Sequence, residues 1–303
     1  MIDITLPSRE ELEGEERLEL IRKIGPKAAV TDYAILLGYC LANDEYLDNE
    51  PNTLENRTAT YWTRTGFSSR MGTGAYFMYD GGWTNQVNPE IRFYGVRPMV
   101  DYSEIEEYAT KQKINKKGVL EVEYGEYPGM LAESTISNQL EKLYEDKILP
   151  RTKKKYTCDR TKWQDEDKGF SEKKIIEYEY KNEKYIRFVA TSNSNGLILS
   201  NGEEAKEGKA YWIKVEPIAW YVDEETDMAI SKKVLFSGIQ YDDYKKYSGS
   251  FYSTNIKRFL DNCFSKEIIP TKIHKKSEND IDLIFEEAIE QVDKINSKVK
   301  ILK

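Results

Sequence analysis

Histidine is nearly absent from this chain: His274 is the only one in 303 residues. That removes Ser-His-Asp and Cys-His catalysis in their usual forms unless His274 itself reaches a nucleophile. A metal site usually needs three or more ligands, and flanked by Lys272, Lys275 and Lys276 this imidazole reads as a solvated loop residue. Cysteine is scarce too. Cys40, Cys158 and Cys263 are odd in number and far apart, so neither a disulfide framework nor a CxxC metal knuckle can be drawn, and reduced thiols are expected. No run approaches the roughly 18 apolar residues of a membrane span. The opening Met1 to Pro7 has no basic segment followed by an apolar one, so synthesis in the cytoplasm without a classical export signal or membrane insertion is expected.

Two catalytic fingerprints are missing as well, G-x-S-x-G and GxxxxGK[ST]. Met71-Gly72-Thr73-Gly74 looks like a fragment of a phosphate loop, but no Lys-Ser/Thr follows it and a plain loop is predicted. The 53 acidic and 45 basic residues, net charge −8, are interspersed, which disfavours a phosphate-tracking surface and hence duplex nucleic acid as a partner. Arg151 to Lys155, with four bases in five residues, is predicted to be a solvated loop, with a docking patch as the alternative. Asp223-Glu224-Glu225 and Asp242-Asp243 could hold a hard cation but lack EF-hand spacing, so solvated turns are predicted there, with no metal and no cofactor.

What the chain has in quantity is aromatic residues: 22 Tyr, 10 Phe and 5 Trp, enough to build a sizeable core in a strongly charged sequence. The pattern predicts a mixed α+β protein. Ile2 to Leu6 reads as a strand, Ser8 as the cap of a helix ended by Gly25-Pro26, and Thr31 to Leu41 as a buried helix. Aromatic strands then follow at Tyr61 to Arg64, Gly74 to Tyr79 and Tyr94 to Val100, with Asp80-Gly81-Gly82 as a hairpin turn. A polar linker, Asp101 to Lys117, leads to a strand at Val119 to Tyr124 and a helix from Ser134 to Ile148. Further strands are predicted at 174–180, 184–190, 209–222 and 228–231, and a helix from Ser253 to Phe264.

In the tail, 277–303, Ile281, Phe285, Ala288, Val292, Ile295 and Val299 fall at heptad spacing on one predicted helix. Three heptads are short for a free-standing coiled coil, so the seam is expected to bury itself against another subunit or against the body of the domain, and the subunit contact is favoured.

Tyr124-Gly125-Glu126-Tyr127-Pro128, Trp212 to Trp220, Ser231 to Leu235 and Ser253 to Leu260 together resemble the first half of a bacterial and phage domain with a C-type-lectin-like fold, related in architecture to the formylglycine-generating enzymes. Leu6-Pro7-Ser8, Thr31 to Ala34, Tyr61 to Arg64, Ala75-Tyr76 with Asp80-Gly81-Gly82, and Tyr94 to Pro98 resemble its second half, which here comes first. The resemblance implies one circularly permuted domain, 1–270, with halves 1–103 and 117–270, antiparallel sheets, long loops and flanking helices, to which the heptad-patterned tail adds a C-terminal helix. It further implies that Tyr94 to Val100 and Val119 to Tyr124 are adjacent strands; two half-domains completed by a neighbouring chain are the alternative. The cysteine pair that holds copper in the related enzymes, and the histidines of the iron-dependent ones, have no counterparts here.

The function expected on this basis is a non-catalytic binding or assembly protein of phage or mobile-element type, associated with a virion or tail or recognising a host surface. Its partner would be a protein or glycan ligand, together with a homo-oligomer or virion assembly contact. An enzyme with an unrecognised site and a purely structural virion component are the alternatives. The expected ligand-contacting residues are Arg64, Tyr79, Trp83, Asn85, Asn88 and Arg92, types that give adaptable contacts at low entropy cost, while Trp62, Tyr76 and Phe77 are predicted to be core.

Overall fold

The computed structural model describes residues 2–38, 60–69, 72–78, 84–92, 94–157, 174–243 and 247–270. The chain divides into a unit Met1–Ile269 and a second unit Pro270–Lys303. The heptad positions Ile281, Phe285, Ala288, Val292, Ile295 and Val299 lie outside the described residues, as do His274, Cys40, Cys158, Tyr79, Trp83 and the Asp80-Gly81-Gly82 turn.

The first unit is α+β, as the sequence pattern predicts. After β1 (Ile4–Thr5) the side chain of Ser8 accepts from the backbone of Glu11 while the Glu11 carboxylate accepts from Ser8, a reciprocal capping box that starts α1 (Arg9–Glu13). The single helix expected before Gly25 is two: Gly14 to Leu18 break it, and α2 (Glu19–Ile24) begins anew. Asp223, 2% exposed, accepts the Leu20 backbone N–H at that second start and also holds the turn after it through Thr226. The solvated acid expected at Asp223 is thus a buried cap; Asp242 is likewise buried. β2 (Ala29–Val30) and α3 (Asp32–Leu36), capped by Thr31, complete the first segment.

The aromatic stretch makes a small antiparallel sheet of β3 (Tyr61–Ser69), β4 (Gly72–Met78) and β5 (Thr84–Val87), so Gly72 and Gly74 belong to a strand rather than the expected loop. Trp62 and Phe77 are buried as predicted, in a cluster with Tyr94 and Tyr241, whereas Tyr76, also expected in the core, is only half-buried and lies under the Arg9 guanidinium.

The large sheet is organised around β12 (Ala210–Asp223). Along one side runs β8 (Leu120–Leu131), paired from Leu131 to Leu120. On the other side β11 (Glu183–Val189) pairs only as far as Val215, and β13 (Met228–Ser231) takes over at Trp220. From β11 the sheet continues through β10 (Lys174–Tyr180) to β9 (Arg151–Thr157), and from β13 through β6 (Met99–Asp101) to β1. Strands of both sequence halves therefore interleave in one sheet within one chain.

Three expectations are corrected. Tyr94 to Val100 and Val119 to Tyr124 share that sheet but are not neighbours, because β13 and β12 stand between β6 and β8. Residues 101–118 are no mere linker: two short 3-10 turns lead into β7 (Thr110–Ile114), which pairs with β8. Its five side chains all face solvent, so no apolar alternation marks it. The basic run Arg151 to Lys155 is the edge strand β9 rather than a solvated loop, and its Lys154 donates to the Ile269 carbonyl.

A helix, α4 (Ser134–Glu145), lies on the β10–β12 side through Leu140, with Glu141 accepting from Trp212 Nε1 at 2.7 Å and from Arg187. Near the end, α5 (Asn255–Phe259) passes through a π turn, Leu260–Phe264, into α6 (Ser265–Glu267). Their apolar side packs Phe259, Phe264 and Ile268 into the main core.

Candidate ligand-binding cleft

The residues expected to contact ligand are only partly described, and those that are do not converge. Arg64 is committed to the body of the protein: its guanidinium pairs with both Glu11 carboxylate oxygens and donates to the Leu6 carbonyl. This corrects its reading as a free contact residue, because the capping glutamate of α1 neutralises it. Asn88 closes a turn by accepting the Glu90 N–H at 2.8 Å, and Arg92 is exposed while its carbonyl accepts from Gly238. The backbone of Asn85 pairs opposite Phe77.

A second place to look is a buried polar cluster at the β9–β10 edge. Glu177, fully buried, accepts from Thr152 Oγ1 at 2.8 Å and Tyr156 Oη at 2.6 Å. Glu267 accepts from the Thr157 N–H at 2.7 Å, which fastens α6 to β9. Burial lowers the Lys154 ammonium to about 8, with Glu177 and Glu126 opposing, and burial raises the Tyr156 phenol. Each carboxylate oxygen of Glu177 already has its donor, so the cluster fastens an edge strand to a helix.

The open concave site lies at the fork in the large sheet. Between Val215, where β11 ends its pairing, and Trp220, where β13 begins, Glu216 to Ala219 have neither strand beside them. Pro217, which has no N–H to offer a ladder, occupies that gap, and the register with β8 shifts there. A cleft of about 610 Å³ opens along this segment, within the range of small-molecule sites. Its floor is apolar, from Ile24, Ala28, Ile218 and Leu235 with the Tyr127 and Tyr221 rings.

Three separate stretches bring lysines to the cleft: Lys27 ahead of β2, Lys116 and Lys117 in the β7–β8 turn, and Lys232 and Lys233 at the start of β14 (Lys233–Val234). β14 pairs in parallel with β2, Lys233 opposite Ala29, which fixes two of these stretches together. Arg97, wholly buried, pins them from behind. Its Nη1 donates to the Pro26 carbonyl at 3.0 Å and its Nε to the Ser231 carbonyl at 2.9 Å, the residues just before Lys27 and Lys232.

Lys232 is neutralised by Glu121 at 2.9 Å and sits over the Tyr221 ring. Burial alone would raise the Glu121 carboxyl, but hydrogen bonds from Lys232, Asn115 and Lys113 bring it below its ordinary value. Lys27, Lys116, Lys117 and Lys233 form no ion pair with any described residue. Among the lining residues Glu216 is the one acid.

Nothing in the local sequence announces this site, since its lysines come from positions some 90 and 200 residues apart. The Pro217 interruption and the Lys232-Lys233 pair after an apolar strand are the traces it leaves. No family model, no curated protein and no solved structure matches the chain.

Proposed function

We propose that this chain is a non-catalytic binding module on a C-type-lectin-like scaffold with permuted halves, of phage or mobile-element type, and that its ligand seat is the cleft at the fork of β12. The observation that carries the reading is the cleft itself: an apolar, tyrosine-lined floor of ligand-accepting size, rimmed by four lysines without ion-pair partners among the described residues. Interleaving of both halves in one sheet favours a domain completed within the chain. The internally satisfied Glu177 cluster gives no separate support to a catalytic alternative.

The test is a thermal-shift screen of charged and uncharged small molecules and glycans on the wild-type chain and on Ala29→Trp. Ala29 is an exposed strand residue lining the cleft, so a bulky ring there fills the seat without entering the core. Compounds that stabilise the wild type and leave Ala29→Trp unmoved support the reading. Equal stabilisation of both proteins, or of neither, counts against it.

A further inference from the structure

We infer that the cleft is a phosphate site, taking a small phosphate monoester whose organic body lies on the apolar floor; this rests on the cleft being the ligand seat. The first reason is charge. In a protein of net charge −8, five of the lining residues are lysines and one is a glutamate. Glu121 already answers Lys232, which leaves Lys27, Lys116, Lys117 and Lys233 with no ion-pair partner among the described residues. Several like charges held on one rim repel each other, and an anion in their midst removes that cost. A lone carboxylate brings one charge; a phosphate monoester brings about 1.5 to 2 at pH 7 and three acceptor oxygens.

The second reason is how the lysines are held. Lys233 sits on β14 and Lys27 two residues ahead of its parallel partner β2, and the buried Arg97 ties Pro26 to Ser231. Asn115 Oδ1 accepts the backbone N–H groups of Lys117 and Val119, which shapes the turn carrying Lys116 and Lys117. The backbones that carry the charges are fixed from both sides of the cleft, while ammonium groups on flexible stems can adjust to a tetrahedral anion. The third reason is the floor: the half-buried Ile24 and Tyr221, backed by the buried Ala28, Ile218 and Leu235, accept an apolar or ring-bearing body, which inorganic phosphate lacks.

The experiment is calorimetric titration of the full chain with AMP, adenosine, inorganic phosphate, citrate and long-chain polyphosphate, at two salt concentrations. AMP is expected to bind more tightly than adenosine by at least about tenfold, to weaken as salt rises, and to compete with inorganic phosphate. Lys27→Gln with Lys233→Gln is expected to weaken AMP by about tenfold or more at unchanged thermal midpoint, while Lys153→Gln, on the exposed face of β9, changes nothing. Equal binding of AMP and adenosine, stronger binding of citrate, or indifference to the double substitution would overturn the inference, and binding of polyphosphate alone would replace the small ester with a polymer. A citrate or uncharged ligand blocked by Ala29→Trp would leave the binding-module reading standing while the phosphate assignment fails. No ligand blocked by Ala29→Trp would overturn both.

Discussion

The Lys257 ammonium joins the last helical segment to the first strand: its Nζ lies 2.6 Å from Asp3 Oδ1, with the Ile4 carbonyl at 3.2 Å and Asp261 Oδ1 at 2.6 Å. The lysine side chain is 8% exposed while Asp3 and Asp261 are 70% and 41% exposed, so a buried ammonium meets carboxylates that reach solvent. These side-chain bonds fasten α5 to the segment around β1.

Lys257→Met is expected to cost on the order of 2 kcal/mol, since the buried Ile4 carbonyl loses a charged donor. Burial alone would lower the Lys257 ammonium, but the bonds it donates to Asp261 and Asp3 raise it above its ordinary value. A raised lysine contributes stability that is fully present below its unfolded pKa, near about 10.4, and lost as pH climbs through the folded value. The gap between wild type and variant in urea unfolding should therefore hold steady from neutral pH to about 10 and narrow above it.

Gly95 ties the small aromatic sheet to the strand that carries Lys233. A Cβ at this position would meet Val234 Cγ1 at 2.2 Å, an impossible approach unless Val234 moves. Gly95→Ala is expected to destabilise by about 1–3 kcal/mol, and Val234→Ala in the same chain to remove most of that added cost. Chemical denaturation of the two single variants and the double variant measures the coupling; strict additivity would refute the contact.

Glu141 fastens α4 to the sheet. The hydrogen bonds from Arg187 are the main reason its carboxyl sits below the usual range, with burial opposing and Trp212 Nε1 adding to it. Glu141→Gln is expected to cost about 1–2 kcal/mol at pH 7, allowing for solvent screening of a partly exposed pair. A depressed carboxylate contributes stability present above the unfolded value of about 4.3 and lost as pH falls through the folded one. Wild type and variant should therefore converge below about pH 4. A gap that persists there would show that shape, not charge, holds the helix.

The tail is testable without a structure. Light scattering of the full chain and of a chain ending at Pro270, the boundary between the two units, is expected to show association only when Ile281 to Val299 are present. Monomers in both cases would make the heptad seam an intramolecular brace.

What was legible in the sequence follows from which forces leave a local trace. The Ser8 to Glu11 capping box and the half-buried alternation of the strands can be read because each depends on neighbours in sequence. β7 and β9 escaped because an edge strand with charged, solvated side chains is held by backbone bonds that no residue pattern reports. The neighbours of β6 and β8 were misplaced because the order of segments along the chain does not show which strands intervene between them in the sheet. Arg64 was misjudged since its partner, Glu11, lies 53 residues away. The lysine cleft was invisible for the same reason: β2–β14 pairing and Arg97 join two of its three stretches, and pairing of β7 with β8 and of β8 with β12 brings the third, only once the chain has folded.

The most direct measurement is native mass spectrometry of the full chain isolated gently from the cell that makes it, beside Ala29→Trp isolated in the same way. A ligand seated at the fork of β12 should appear as a discrete non-covalent mass on the wild type, absent from Ala29→Trp and lost at high salt. The same added mass on both proteins, or none on either, would contradict the assignment of the cleft as the ligand seat.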